Sequence, residues 1–83
     1  MLNGWTEVNN HLEKTFEFKT FLKTMGFVNA VAWVANNQNH HPEMVVNFNK
    51  CVIRTTTHDA GNSVTEKDHE LAKAIEALLL SKA

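Results

Sequence analysis

Twice along this chain, apolar residues at every second or fourth position give way to apolar residues at every third and fourth. The first spacing lays side chains on one face of a strand, the second on one stripe of a helix. Leu12, Phe16 and Phe18, with His11, Glu13, Thr15 and Glu17 between them, precede Phe21, Met25, Val28, Ala32 and Ala35. Met44, Val46, Phe48, Cys51, Ile53 and Thr55 precede Leu71, Ile75, Leu78 and Leu79. The expected order is strand-strand-helix-strand-strand-helix. Two hairpins in one four-stranded antiparallel sheet, with two helices packed on one face, is the simplest α+β arrangement for that order. At 83 residues a single domain spanning 1–83 is expected.

Local signals place the boundaries. A short first strand near Trp5–Val8 turns at Asn9-Asn10, because asparagine tolerates left-handed backbone. Thr20 can cap a helix running to Asn36, widened on its apolar side by Leu22 and Val31. Gly26 weakens that helix by up to ~1 kcal/mol relative to alanine. The polar run Asn36-Asn37-Gln38-Asn39 ends it. The second hairpin is expected to turn at Asn49-Lys50, which sets Phe48 opposite Cys51, Val46 opposite Ile53 and Met44 opposite Thr55. Extended outward, the same register sets His41 opposite His58, and directly opposed residues have Cβ atoms about 4.5–5.5 Å apart. Pro42 cannot donate to the ladder, so the pairing can fray before residue 41. The last helix is expected from Glu66 to Leu80, with Thr65 as cap and Asp68 reaching back as in a capping box. Its Leu71, Ile75, Leu78 and Leu79 stripe packs either on the core or on another subunit.

Composition closes off several classes. Lys and Arg number 8 against 9 Asp and Glu, so the basic excess of a nucleic-acid binder is missing. No apolar run approaches the ~18 residues of a membrane span. Met1-Leu2-Asn3-Gly4-Trp5 carries no basic stretch followed by an apolar run, so no signal peptide is expected. The lone Cys51 cannot close a disulfide within the chain, and a reducing compartment, most simply the cytoplasm, fits. Its plain reading is a small buried apolar group. A chain this short buries only about 60–65% of its unfolded surface, so an oligomer that buries more is expected.

Five histidines are an enrichment, and His40, His41 and His58 fall within one short stretch. Three readings of this constellation stand. It can be a coincidence on a polar rim. It can hold zinc, with Glu43 or Asp59 completing a ligand set, although there is no cysteine pair and adjacent histidines reach one metal only from a bent backbone. It can move protons, since imidazole titrates near pH 6.5 and no nucleophilic serine or cysteine stands in the cluster. No glycine-rich phosphate loop is present.

Asn39-His40-His41-Pro42-Glu43 and Thr57-His58-Asp59-Ala60-Gly61, followed by Thr65-Glu66-Lys67-Asp68 and Leu71-Ala72, resemble the signature of the pterin-4a-carbinolamine dehydratases. Trp5, Leu12, Phe16 and Phe18 resemble that family's opening hairpin. The resemblance implies a four-stranded antiparallel sheet backed by helices. It implies dehydration of 4a-hydroxytetrahydrobiopterin, or a related pterin, to the quinonoid dihydropterin and water, which regenerates the cofactor of aromatic amino acid hydroxylases. The pterin is then the substrate, and neither a metal nor a further cofactor is implied. Dimers through the sheets and tetramers through the helices are implied too. By the same resemblance His40 and His58 are the acid–base pair and His41 chiefly binds the pterin. Asn39, Pro42, Thr56, Thr57 and Asp59 flank the pocket.

The chain departs from the family pattern in places. Asn36 stands where many relatives have an acidic residue, and Met44 where many have an aromatic one. The loop Gly61-Asn62-Ser63-Val64-Thr65 is one residue longer than the common Gly-Gly-Leu-Thr. Many relatives begin with a helix for which there is almost no room ahead of Trp5. A second function is carried alongside the first: a non-catalytic dimerisation or assembly partner of another protein. Retention of all three histidines favours the enzyme.

Overall fold

The computed structural model describes residues 4–80. The Met1-Leu2-Asn3 part of the signal-peptide reading lies outside them. The elements are β1 (Thr6–Val8), β2 (His11–Glu17), α1 (Phe21–Gln38), β3 (Glu43–Val46), β4 (Lys50–Thr55), a single 3₁₀ turn (His58–Ala60) and α2 (Glu66–Leu80). The four strands form one antiparallel sheet in the order β1-β2-β4-β3. The two hairpins therefore meet through β2 and β4, with Leu12 opposite Thr55, Lys14 opposite Ile53 and Phe16 opposite Cys51. The expected α+β order is the observed one.

Asn9 and Asn10 both have positive φ, 50° and 66°, the backbone that a two-residue hairpin turn between twisted strands requires. Thr20 caps α1, its Oγ1 accepting from the Lys23 N–H at 3.0 Å. The helix runs two residues beyond its expected end. Asn39 terminates it in the left-handed region, with φ 52°. There the Asn39 N–H donates to Asn36 and the His40 N–H to Ala35 at 3.1 Å, the paired closing bonds of a Schellman motif. Asn37 and Gln38 thus add length to the helix, and the terminating role falls on the last asparagine of the run.

One face of the sheet carries the core. Leu12, Phe16, Cys51 and Ile53 pack with Phe27, Val31 and Ala35 of α1 and Leu71, Ala72 and Ile75 of α2. Trp5 closes one side, edge-on to Phe16 at 5.8 Å between ring centroids, and its indole N–H donates to Glu76. Cys51 is fully buried and free, and burial pushes its thiol up, as the plain reading expects.

The second hairpin differs from expectation. Its turn is centred on Phe48-Asn49, and Met44 faces Ile53 while Val46 faces Cys51. The register has moved by two residues. A shift of two leaves every side chain on its original face, so the apolar pattern cannot distinguish the two registers. Contacts to the turn decide. The Phe18 N–H donates to Asn49 O at 2.8 Å and the Asn47 N–H to Lys50 O at 2.8 Å. The hydroxyl of the buried Thr24 lies 2.9 Å from Phe48 O. Phe48 consequently sits on the turn, exposed, and does not face Cys51.

The shifted register also changes what surrounds the histidines. The β3–β4 ladder ends at Glu43 opposite Arg54, where the guanidinium bonds both Glu13 and Glu43. His41 lies before the ladder and His58 in the 3₁₀ turn, so the expected cross-strand His41–His58 pair is not formed. Among the described residues no helix is long and apolar enough to cross a membrane.

Candidate functional site

The histidines are brought together by loop ends. The Schellman motif that closes α1 fixes the His40 backbone, and its ring turns toward the first turn of α2. There His40 Nε2 lies 2.7 Å from Asp68 Oδ1. Asp68 is fully buried and stands at the third position of α2. Its Oδ1 also accepts from the Thr55 hydroxyl at 2.6 Å. Its Oδ2 accepts from the Thr57 hydroxyl at 2.8 Å and the Thr65 N–H at 2.9 Å. Four donors thus fill the roughly four lone-pair sites of one carboxylate. The Thr57 hydroxyl hydrogen is committed to Asp68, so at 2.6 Å it is Thr65 that donates to Thr57.

Burial is the largest influence on Asp68 and by itself would raise its pKa. The hydrogen bonds from Thr55, His40, Thr65 and Thr57 together outweigh it, and the pKa is lowered. Asp68 is therefore an ionised, acceptor-only group near neutral pH. It follows that His40 donates from Nε2–H and that Nδ1 is the nitrogen left for other partners. The carboxylate orients the ring, fixes its tautomer and would stabilise positive charge on it.

His58 opens the 3₁₀ turn. The loop that follows is drawn tight by Thr57. The Thr57 N–H donates to Ser63 O at 2.9 Å, and Thr57 O accepts from the Ala60 and Asn62 N–H groups. Gly61 takes φ 73° at the turn's end, a conformation natural to glycine. His58 Nδ1 lies 2.7 Å from Asn62 Oδ1.

A cleft of about 310 Å³ is lined by His40, His41 and His58 together with Asn39, Thr56, Thr57, Asp59 and Lys67. That volume is at the small end of the range for small-molecule sites, roughly 300–1,000 Å³. His40 is mostly buried, whereas His41 and His58 are exposed. Every residue expected at the pocket lines it except Pro42. Thr56 and Thr57 line it with hydroxyl hydrogens already committed, to Asn10 O at 2.7 Å and to Asp68 respectively.

Two residues at the site escape sequence reasoning. Lys67 lines the cleft, and Asp68 holds His40. In the sequence both stand in a helix start that is also part of the family signature, and neither points to the pocket from its spacing. Asn36 lines a different cavity, with Asn29, Ala32 and Trp33 of α1, so the carboxylate that supports His40 comes from α2. Met44 packs on the core opposite Ile53. Among the described residues no group of three or more His, Cys, Asp or Glu is arranged to hold a metal ion.

The cleft therefore offers two imidazoles, each with one nitrogen held by the protein and the other left for a ligand. Such an arrangement can deliver a proton to one atom of a bound molecule and remove one from another.

Known proteins resemble this chain in sequence and in fold. The family described as pterin 4 alpha carbinolamine dehydratase matches residues 1–78. A protein of Nitrosomonas eutropha, provisionally named a pterin-4-alpha-carbinolamine dehydratase, is 44% identical over 78 residues, 94% of this chain and 68% of the relative. One of Sulfurisphaera tokodaii with the same provisional name is 44% identical over 94% of this chain and 83% of its own. The crystal structure of a transcriptional coactivator/pterin dehydratase from Brucella melitensis superposes with a TM-score of 0.84 at 33% identity, covering 92% of this chain and 82% of the other. A pterin dehydratase-like RuBisCO assembly factor of the alpha-carboxysome shares the fold, with a TM-score of 0.72 at 20% identity over 89% of this chain and 84% of its own. With a family match over residues 1–78 and relatives 44% identical over 94% of its length, the chain belongs to the pterin 4 alpha carbinolamine dehydratase family.

Proposed function

We propose that this protein dehydrates a 4a-hydroxytetrahydropterin, such as 4a-hydroxytetrahydrobiopterin, to the quinonoid dihydropterin and water. The observation that carries the reading is the pair of held imidazoles in one cleft: His40 on Asp68 and His58 on Asn62. Loss of water from the 4a carbon needs a proton delivered to the departing hydroxyl and a proton removed from a ring nitrogen. His40 and His58 supply both transfers. His41, exposed at the cleft, binds and orients the pterin, with Asn39, Thr56, Thr57 and Asp59 around it. The pterin is substrate, and the scheme uses no metal or further cofactor. In this reading the protein recycles the cofactor of aromatic amino acid hydroxylases in the cytoplasm. The single buried thiol agrees with a reducing compartment.

A stable pterin that cannot react, such as 7,8-dihydrobiopterin, tests the site by NMR titration. The imidazole signals of His40, His41 and His58 should move together and saturate. Shifts confined to Asn29, Ala32 and Trp33, or none at all, would overturn the assignment.

Self-association is part of the proposal. Phe21, Leu22 and Trp33 are exposed on α1 at 56%, 82% and 71%, and Val45 of β3 is exposed at 46%. Surface of this kind on so small a chain favours a homodimer or homotetramer. Sedimentation equilibrium should give a multiple of the chain mass, and a monomer at micromolar concentration would contradict it. The alternative, a non-catalytic partner of another protein, draws on the same exposed surface but leaves the His40–Asp68 pair without a purpose.

A further inference from the structure

The loop between the 3₁₀ turn and α2, one residue longer than the common family version, does more than join two elements. Asn62 lies in it with φ 60°, and its N–H is tied to Thr57 O at 3.1 Å. This left-handed backbone turns the side chain back over the ring of His58, four residues earlier. The contact is His58 Nδ1 to Asn62 Oδ1 at 2.7 Å. An amide oxygen only accepts, so His58 carries its proton on Nδ1 and keeps a lone pair on Nε2. No partner for Nε2 is found among the described residues.

We infer that Asn62 is a positioning residue for His58, holding the imidazole in the Nδ1–H tautomer so that Nε2 can take a proton from the substrate. This rests on the dehydratase reading and adds to it a residue supplied by the lengthened loop. In water a free histidine favours the opposite tautomer, with hydrogen on Nε2. Without Asn62 the ring would spend much of its time with a donor where a base is needed. The tautomer of a histidine is set by the hydrogen bond its other nitrogen makes. The His40 ring is fixed in the opposite sense, Nε2–H on Asp68, so the cleft holds its two imidazoles by different nitrogens.

The simpler role for Asn62 is to tolerate a left-handed backbone. Two substitutions separate these roles. Asn62→Gly keeps the backbone freedom and removes the acceptor. Asn62→Asp keeps an acceptor at the same place. The readouts are the ¹⁵N shifts of the His58 ring and steady-state dehydration kinetics with a 4a-hydroxytetrahydropterin. We expect the Nδ1–H signature in the wild type, its loss in Asn62→Gly and its return in Asn62→Asp. In Asn62→Gly, kcat should fall about three- to tenfold, as for one exposed hydrogen bond, with KM unchanged. An active wild type whose His58 tautomer is the same in Asn62→Gly would overturn the role. So would a changed tautomer with unchanged kcat. A wild type that holds the Nδ1–H form yet never turns over would overturn the dehydratase reading, and the positioning role of Asn62 in it.

Discussion

His58→Ala and His40→Ala should each lower the turnover of a 4a-hydroxytetrahydropterin by about 10²–10⁴-fold, the usual worth of a positioned acid or base. The elimination needs two proton transfers, one to the departing hydroxyl and one from a ring nitrogen, and each imidazole is held by a different protein group. Losing either ring leaves water to do half the work. The double variant should be little slower than the worse single one, because residues that act as a unit do not contribute additively. His41→Ala should behave differently. Its ring is exposed, and the described residues show no carboxylate holding it as Asp68 holds His40. A rise in KM with kcat nearly intact is expected. Steady-state kinetics of the three variants check this, and equal losses of binding in all three would break the division of roles.

Asp68→Asn is the second large effect, and it acts on stability and chemistry together. The wild-type carboxylate accepts four hydrogen bonds while fully buried. An amide of the same shape has a donor group in place of one oxygen, where two of those hydrogen bonds were accepted. Each buried donor left facing a donor costs about 1–3 kcal/mol. Chemical denaturation should show a loss of that order. If the amide NH₂ lands beside His40, the ring must accept at Nε2 and its proton moves to Nδ1, which reverses the tautomer that the cleft uses. Activity should then fall even at temperatures where the variant is folded.

The pH dependence follows from the same group. The folded pKa of Asp68 lies below its unfolded value of about 3.9. Its contribution to stability is therefore present above about pH 4 and is lost as pH falls from there through the lower folded value. In Asp68→Asn that acid-labile component should be gone, so the stability difference between the variants should shrink on acidification.

The sheet was legible because period-two patterns are set by burial, and Leu12, Phe16, Cys51 and Ile53 are buried where the alternation puts them. The stripe of α1 was not: Phe21, Leu22 and Ala32 are exposed, and the helix turns Thr24, Phe27, Val31 and Ala35 to the core. The caps were legible because Thr20 stands immediately before Phe21 and Thr65 stands three residues before Asp68, whose carboxylate accepts its N–H. The hairpin register was not. Its two candidates differ by two residues, share both faces, and are separated only by contacts from Phe18 and Thr24 to the turn, which are distant in sequence. That is also why pairing His41 with His58 failed although both line the same cleft. The motifs named the histidines correctly as neighbours, but for a reason other than strand pairing. Asp68 was hidden by its double role. One of its oxygens closes the capping box with Thr65, which any helix start can explain, and the other reaches His40 from an element 28 residues away. Only the packing of α2 against the end of α1 makes the second role visible.

The measurement that bears most directly on the account is a stopped-flow trace of chemically made 4a-hydroxytetrahydropterin mixed with a small fraction of its concentration of this protein. Conversion to the quinonoid dihydropterin is expected at a rate proportional to protein concentration, with many turnovers per chain. Conversion no faster than in buffer would contradict it.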